Sequence, residues 1–181
     1  MKNNITLIGM PGAGKSTVGI VLAKVLGYDF VDSDLLIQKS EGKLLWQIMA
    51  EVGNDGFNQI EERVNSEINV SNSVIATGGS VIYGPRAMEH LRSISTVVYL
   101  KVSCATLSHR LGDLTKRGVV FSPGQTLQDL YDERAPLYEK YAHITVNVSN
   151  KSVQQAVAAI EELYCAGRGK PDHTCFRSSF R

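Results

Sequence analysis

The chain has 181 residues, 43% of them hydrophobic and 20% charged, which is enough for one folded domain with a sizeable core. A formal net charge of +1 supplies no broad field for nucleic acid or an anionic membrane surface. No apolar run approaches the length of a membrane span.

The three cysteines, Cys104, Cys165 and Cys175, are odd in number and lack metal-ligand spacing. They read as reduced thiols of a cytoplasmic protein. The N-terminus runs straight into a strand pattern, so no targeting segment is expected, and no internal repeat is visible.

The first predicted strand is Ile5-Thr6-Leu7-Ile8. It leads into Gly9-Met10-Pro11-Gly12-Ala13-Gly14-Lys15-Ser16-Thr17, which fits the phosphate-loop pattern G-x-x-x-x-G-K-[ST]. A helical pattern follows, with Val18, Val21, Leu22, Val25 and Leu26 at helical spacing. Strand, glycine loop and helix are the arrangement in which Gly12, Ala13, Gly14 and Thr17 can turn backbone N–H groups toward a polyphosphate. Lys15 can then reach the outer phosphates, and the Ser16 hydroxyl can ligate Mg²⁺. The bland alternative is a glycine turn that caps a helix. The pattern as a whole implies binding of ATP or GTP with magnesium.

Leu26-Gly27 is a helix stop. Tyr28-Asp29-Phe30-Val31 predicts a strand ending at Asp32-Ser33-Asp34. Helix resumes at Leu35, is interrupted near Gly42, and continues over 44–52, with Trp46 the only tryptophan. Residues 53–56 are expected to form a loop. An amphipathic helix over 57–70 puts Phe57, Ile60, Val64 and Ile68 on one face and Glu61, Glu62 and Arg63 largely off it. Trp46 and the Phe57 stripe read as core rather than as a binding platform.

Residues 73–76 form a buried strand closed by Thr77-Gly78-Gly79-Ser80, and a short helix is expected over 85–91. Residues 96–102 are the clearest strand, with Ser103 as N-cap of a helix through Leu111. Residues 112–125 have little periodicity and read as a mobile lid. Helix returns over 126–141, interrupted or kinked near Pro136. A last strand covers 143–148 and a last helix 152–164. The basic tail, 166–181, lacks apolar period and reads as disordered, leaving one domain over 1–165. The sequence assigns no chemical role to the histidines, His90, His109, His143 and His173, which are taken as structural or surface residues.

Strands alternating with helices predict an α/β fold: a five-stranded parallel sheet with helices on both faces. Ligands of such sheets sit at the carboxyl ends of the strands. The phosphate loop, Asp32-Ser33-Asp34 and Gly78-Gly79 all follow strands, so they should converge.

These residues resemble the shikimate kinase family over about residues 5–148. The matching pieces, beside the phosphate loop, are Leu26-Gly27-x-x-Phe30-x-Asp32-x-Asp34-x-x-Ile37, Gly53-x-x-x-Phe57-x-x-x-Glu61 and Ala76-Thr77-Gly78-Gly79. Tyr99-Leu100, Arg110-Leu111 and Glu133-Arg134-x-Pro136-Leu137-Tyr138 complete the set. The resemblance implies a three-layer phosphate-loop kinase that transfers a phosphoryl group from MgATP to a ring hydroxyl of shikimate. It implies that Lys15 neutralises the transferring group, that Ser16 ligates Mg²⁺ and that Asp32 supports the ion. By the same resemblance, Asp34 holds or deprotonates the acceptor hydroxyl, and Gly78 and Gly79 offer it N–H groups. Arg110 lies against adenine, Arg117 closes from the lid, and Arg134 pairs with the acceptor's carboxylate. A monomer is the expectation, with neither nucleic acid nor membrane as partner.

The residues leave other readings open. Asp32 and Asp34 suit turn and N-cap positions. Arg110 suits a helix C-terminus, and Lys116 could stand in for Arg117. The family's carboxylate-gripping arginine after Phe57 is Asn58 here, an amide without charge at a substrate-binding position. The third glycine after Thr77 is Ser80, and the lid reads Arg117-Gly118-Val119-Val120. A sibling kinase of another polyol or cyclitol is therefore the alternative, followed by a degenerate nucleotide-binding regulator.

Overall fold

A computed structural model describes residues 3–111 and 124–166. The expected lid, with Arg117, Lys116 and Gly118, lies mostly outside these residues, as does the tail from residue 167.

Five strands form one parallel sheet in the order β2-β3-β1-β4-β5. They are β1 (Asn4–Ile8), β2 (Asp29–Asp32), β3 (Ser73–Ala76), β4 (Ser95–Lys101) and β5 (Ile144–Asn147). Every residue of β1 and β3 is buried, which is why these strands read as apolar runs without alternation: helices cover both faces. Successive β1 side chains point to opposite faces. On one face Leu7 meets helix α1 (Lys15–Leu26) at Gly19, where an added Cβ would come within 3.3 Å of Leu7 Cδ1. On the other, Thr6 shares a 2.7 Å hydrogen bond with Ser95, whose hydroxyl donates to Leu91 O of α4 (Pro85–Ile94).

Register brings the strand ends together. Leu7 and Asp32 both pair with Ala76, and Ile8 pairs with Tyr99. The loops that follow β1, β2 and β3 therefore leave the same edge. At the opposite edge Asn4 ties the sheet: its Nδ2 donates to Val70 O and Ile94 O, and its Oδ1 accepts from Ser73 N.

The remaining helices are α2 (Ser33–Glu41), α3 (Leu45–Ser66), α5 (Cys104–Leu111), α6 (Leu127–Tyr141) and α7 (Val153–Ala166). A 3-10 turn at Val81–Tyr83, which the residue pattern does not announce, joins β3 to α4. No helix among the described residues is long and apolar enough to cross a membrane.

Several local expectations are corrected. Residues 53–56 are not a loop; α3 passes through them with a bend at Gly53, and it ends at Ser66 rather than residue 70. Trp46 is not core but 63% exposed, because the first part of α3 turns Ile48 inward onto Ile37, Phe57 and Val64. Glu61, read as lying off the apolar face, is 1% exposed. Val25 is also on the outside of α1, and α6 runs through Pro136 as one helix.

The bend in α3 depends on Gly53, whose φ of 67° and ψ of −173° lie in a region open essentially to glycine alone. An added Cβ there would meet no atom within 4 Å, so the cost of a side chain is purely one of backbone conformation. Gly53→Ala is expected to destabilise the fold by about 1–3 kcal/mol, read by chemical denaturation; an unchanged midpoint would show that the bend is not required.

Candidate active site

The loop after β1 wraps the N-terminus of α1. Gly14, the residue before the helix, has φ of 93°, and the first N–H groups of a helix have no acceptor within it. Lys15 is buried at 9% exposure, and its Nζ donates to Gly9 O at 2.7 Å and Met10 O at 3.1 Å. Burial depresses its pKa to about 8, with Arg134 adding to the fall and Asp34, Glu61 and Asp32 opposing it. An arriving polyphosphate would supply the counter-charge that this ammonium lacks.

Asp32 performs two tasks at the end of β2. Its Oδ1 accepts from Asp34 N at 3.0 Å as the N-cap of α2, and its Oδ2 accepts from the Ser16 hydroxyl at 2.9 Å. The cap reading and the functional reading are therefore compatible: the cap turns Asp34 into the cleft and sets Oδ2 beside Ser16. Two hard oxygen donors side by side fit a magnesium ion. Burial raises the Asp34 carboxyl above the ordinary aspartate range, Asp32 adds to this, and Lys15 opposes it.

Beyond β3, Thr77 Oγ1 donates to Leu7 O, and Gly78 N donates to the hydroxyl of Ser33, which is fully buried. This corrects one expectation: the Gly78 N–H is engaged by Ser33 and is not presented to an acceptor. Gly78 instead makes room. A Cβ there would come within 2.2 Å of Glu61 Oε1 and 3.0 Å of Asp34 Oδ1. A Cβ at Gly79 would lie 3.2 Å from Arg134 Nη1. The two glycines thus form a floor with carboxyl groups at one end and a guanidinium at the other.

A cavity of about 290 Å³ opens over this floor, reached by Lys15, Ser16, Asp34, Glu61, Ser80 and Arg134. Asn58, half-buried on α3, does not line it. Arg134, 5% exposed on α6, is the cation at its far end. A second cavity of about 360 Å³ lies across the phosphate loop, between Ala13, Arg110 and Val153. Arg110 is held there by the carbonyls of Val148 and Ser149, with Ala13 O at 3.5 Å. Gly12, Gly14 and Thr17 border both cavities, so the two meet along the loop.

Glu61 and Ser33 are site residues that the residue-by-residue reading passes over. Glu61 carries a signal, since it stands four residues after Phe57 and three before Val64, on the buried side of α3. Ser33 carries none. Both carboxylate oxygens of Glu61 are buried without a hydrogen-bond partner of ordinary geometry among the described residues. Ser80 approaches it from the β3 loop and favours its ionised form, but no bond of ordinary geometry joins them. Burial dominates and raises its pKa to about 7; Asp34 adds to this, while Arg134 and Lys15 oppose it.

The stability consequence has a definite sign. Between about pH 4.5 and 7 the folded chain holds a proton on Glu61 that the unfolded chain has lost. Stability therefore falls as pH rises through this window, by about 3 kcal/mol in all. Glu61→Gln is expected to match the native chain near pH 4.5 and to exceed it by about 2–3 kcal/mol at pH 8. Parallel denaturation curves at the two pH values check this, and an equal difference at both would remove Glu61 as the cause.

Comparison with known proteins identifies the family. The shikimate kinase family model matches residues 11–164. A shikimate kinase of Chlorobium chlorochromatii is 39% identical, over 88% of this chain and 87% of that protein. One from Clostridium botulinum is 38% identical, over 92% and 98%. Among solved structures, shikimate kinase from Acinetobacter baumannii in complex with shikimate superposes with a TM-score of 0.84 at 34% identity, covering 92% of this chain and 95% of that one. A family match over most of the chain, on a fold with this sheet order, places the protein in the shikimate kinase family, as an ATP-dependent small-molecule kinase.

Proposed function

We propose that the chain transfers the γ-phosphoryl group of ATP to a ring hydroxyl of shikimate. The observation that carries this reading is the meeting, in one cavity, of a phosphate loop with Asp34 at one end of a glycine floor and Arg134 at the other. A polyol acid laid on that floor has a hydroxyl toward Asp34 and a carboxylate toward Arg134. The bond from the γ-phosphorus to the oxygen bridging it to the β-phosphate breaks, and one to the acceptor oxygen forms. The hydroxyl proton passes to Asp34, whose raised proton affinity suits that role.

Lys15 and the backbone of residues 12–17 hold the transferring phosphate and its neighbours. Arg110 flanks adenine, and Gly79 is the backbone donor assigned to the acceptor. Ser16 and Asp32 are the residues that would hold Mg²⁺, which when bound neutralises charge on the phosphates. Arg117 is assigned to closure over the phosphates by resemblance to the family. The working form is proposed to be a cytoplasmic monomer.

A second reading has one observation in its favour. Residue 58 is an uncharged asparagine outside the cavity lining, so among the described residues Arg134 is the cation that faces an acceptor carboxylate beyond the reach of Lys15. An acceptor of the same polyol class with another substituent in place of the carboxylate fits that side as well.

Coupled ADP release with and without shikimate separates the two. Shikimate-dependent turnover by the native chain is expected. Silence in the native chain with activity gained by Asn58→Arg would assign the chemistry to another polyol. In the same assay Lys15→Ala is expected to lower kcat by at least about a hundredfold with the fold intact, and near-native turnover would overturn the mechanism.

A further inference from the structure

Arg134 is oriented from outside the cavity. Tyr83, at the end of the 3-10 turn, does not line the cavity but lies behind the guanidinium. Its ring centroid is 5.2 Å from Arg134 Cζ, within cation–π range. Its hydroxyl accepts from Arg134 Nε at 3.1 Å and donates to Glu133 Oε1. Glu133 is itself held by Gln125, whose Nε2 donates to Oε2 at 3.0 Å.

The two contacts constrain different freedoms. The ring sets where the guanidinium plane lies. The hydroxyl takes the Nε–H and so fixes rotation within that plane. The Nη edge is directed over the floor, with the Tyr138 hydroxyl also beside the guanidinium: Nη1 stands 3.2 Å from the position of a Cβ on Gly79. Glu133 completes the arrangement. It accepts the tyrosine proton, so a lone pair of the hydroxyl oxygen is left facing Nε.

We propose that Tyr83, backed by Glu133, is a positioning residue for acceptor recognition: it presents the Nη edge of Arg134 to the acceptor's carboxylate. This rests on the functional reading above. It matters more in a site whose position 58 brings no charge, because an arginine that reads a carboxylate alone must already be held in place. A flexible guanidinium would lose side-chain entropy on each binding event.

The test is steady-state kinetics on the full chain with shikimate and ATP varied separately. Tyr83→Phe keeps the ring and loses the hydroxyl. It is expected to raise KM for shikimate by about tenfold, the worth of one hydrogen bond to a charged group, with KM for ATP and the thermal midpoint near native values. Glu133→Gln is expected to act in the same direction with a smaller effect.

Combination with Arg134→Lys discriminates positioning from mere packing. If Tyr83 acts through the guanidinium, Tyr83→Phe adds nothing in the Arg134→Lys background. Full additivity there, or an unchanged KM for shikimate in Tyr83→Phe alone, would overturn the proposal. A native chain that shows no shikimate-dependent turnover would overturn the functional reading and this inference together. Native turnover with an unaffected Tyr83→Phe variant removes only the inference.

Discussion

The ammonium of Lys15 sits at the carboxyl edge of a parallel sheet with little access to water. A buried charge is costly unless something nearby answers it. In this chain the first answer is local: the loop's own carbonyls at Gly9 and Met10. The second is electrostatic, from Asp34, Glu61 and Asp32 on neighbouring segments. The rest of the cavity is arranged around this one constraint. Of the carboxyls that steady Lys15, Glu61 is buried, Asp34 half-buried and Asp32 paired with Ser16, and each comes from a different strand end or helix.

Parallel register makes that delivery possible. Leu7 and Asp32 share Ala76 as partner, so the phosphate loop, the cap of α2 and the glycine floor leave the sheet side by side. Asp32 shows how economical the result is. One carboxylate starts a helix through Oδ1 and touches the Ser16 hydroxyl through Oδ2. The cap aims the next acidic residue, Asp34, at the acceptor side. A residue type chosen for helix initiation and one chosen for phosphoryl transfer coincide because the helix begins where the phosphates lie.

The acceptor side is built differently. Its groups come from helices α3 and α6 and from the turn between β3 and α4. Its polar atoms are less completely satisfied: among the described residues both oxygens of Glu61 are unpartnered. Unsatisfied buried groups store free energy that an incoming polar molecule can release. The nucleotide side, by contrast, joins the backbone groups of the loop and a helix terminus to side chains that are bonded, Lys15, Ser16 and Asp32. The departures at Asn58 and Ser80 fall on this acceptor side.

Much of this molecule is legible without coordinates. The phosphate loop, the strand Ser73–Ala76 and the parallel α/β class follow from local pattern, because glycine spacing and doubly covered strands leave marks in consecutive residues. Asp32 and Asp34 are readable for the same reason, standing at a strand end beside that loop. Other features could be decided only by tertiary structure. The Gly78 N–H is taken by Ser33, 45 residues away, and no local signal records that meeting. Glu61 carries a charge that argues for solvent, yet its helix is turned so that the charge enters the cavity. Trp46 is a residue type that argues for the core, yet the bend at Gly53 leaves it outside. Periodicity tells which residues share a helix face. Which way that face points is decided by packing between segments distant in the chain.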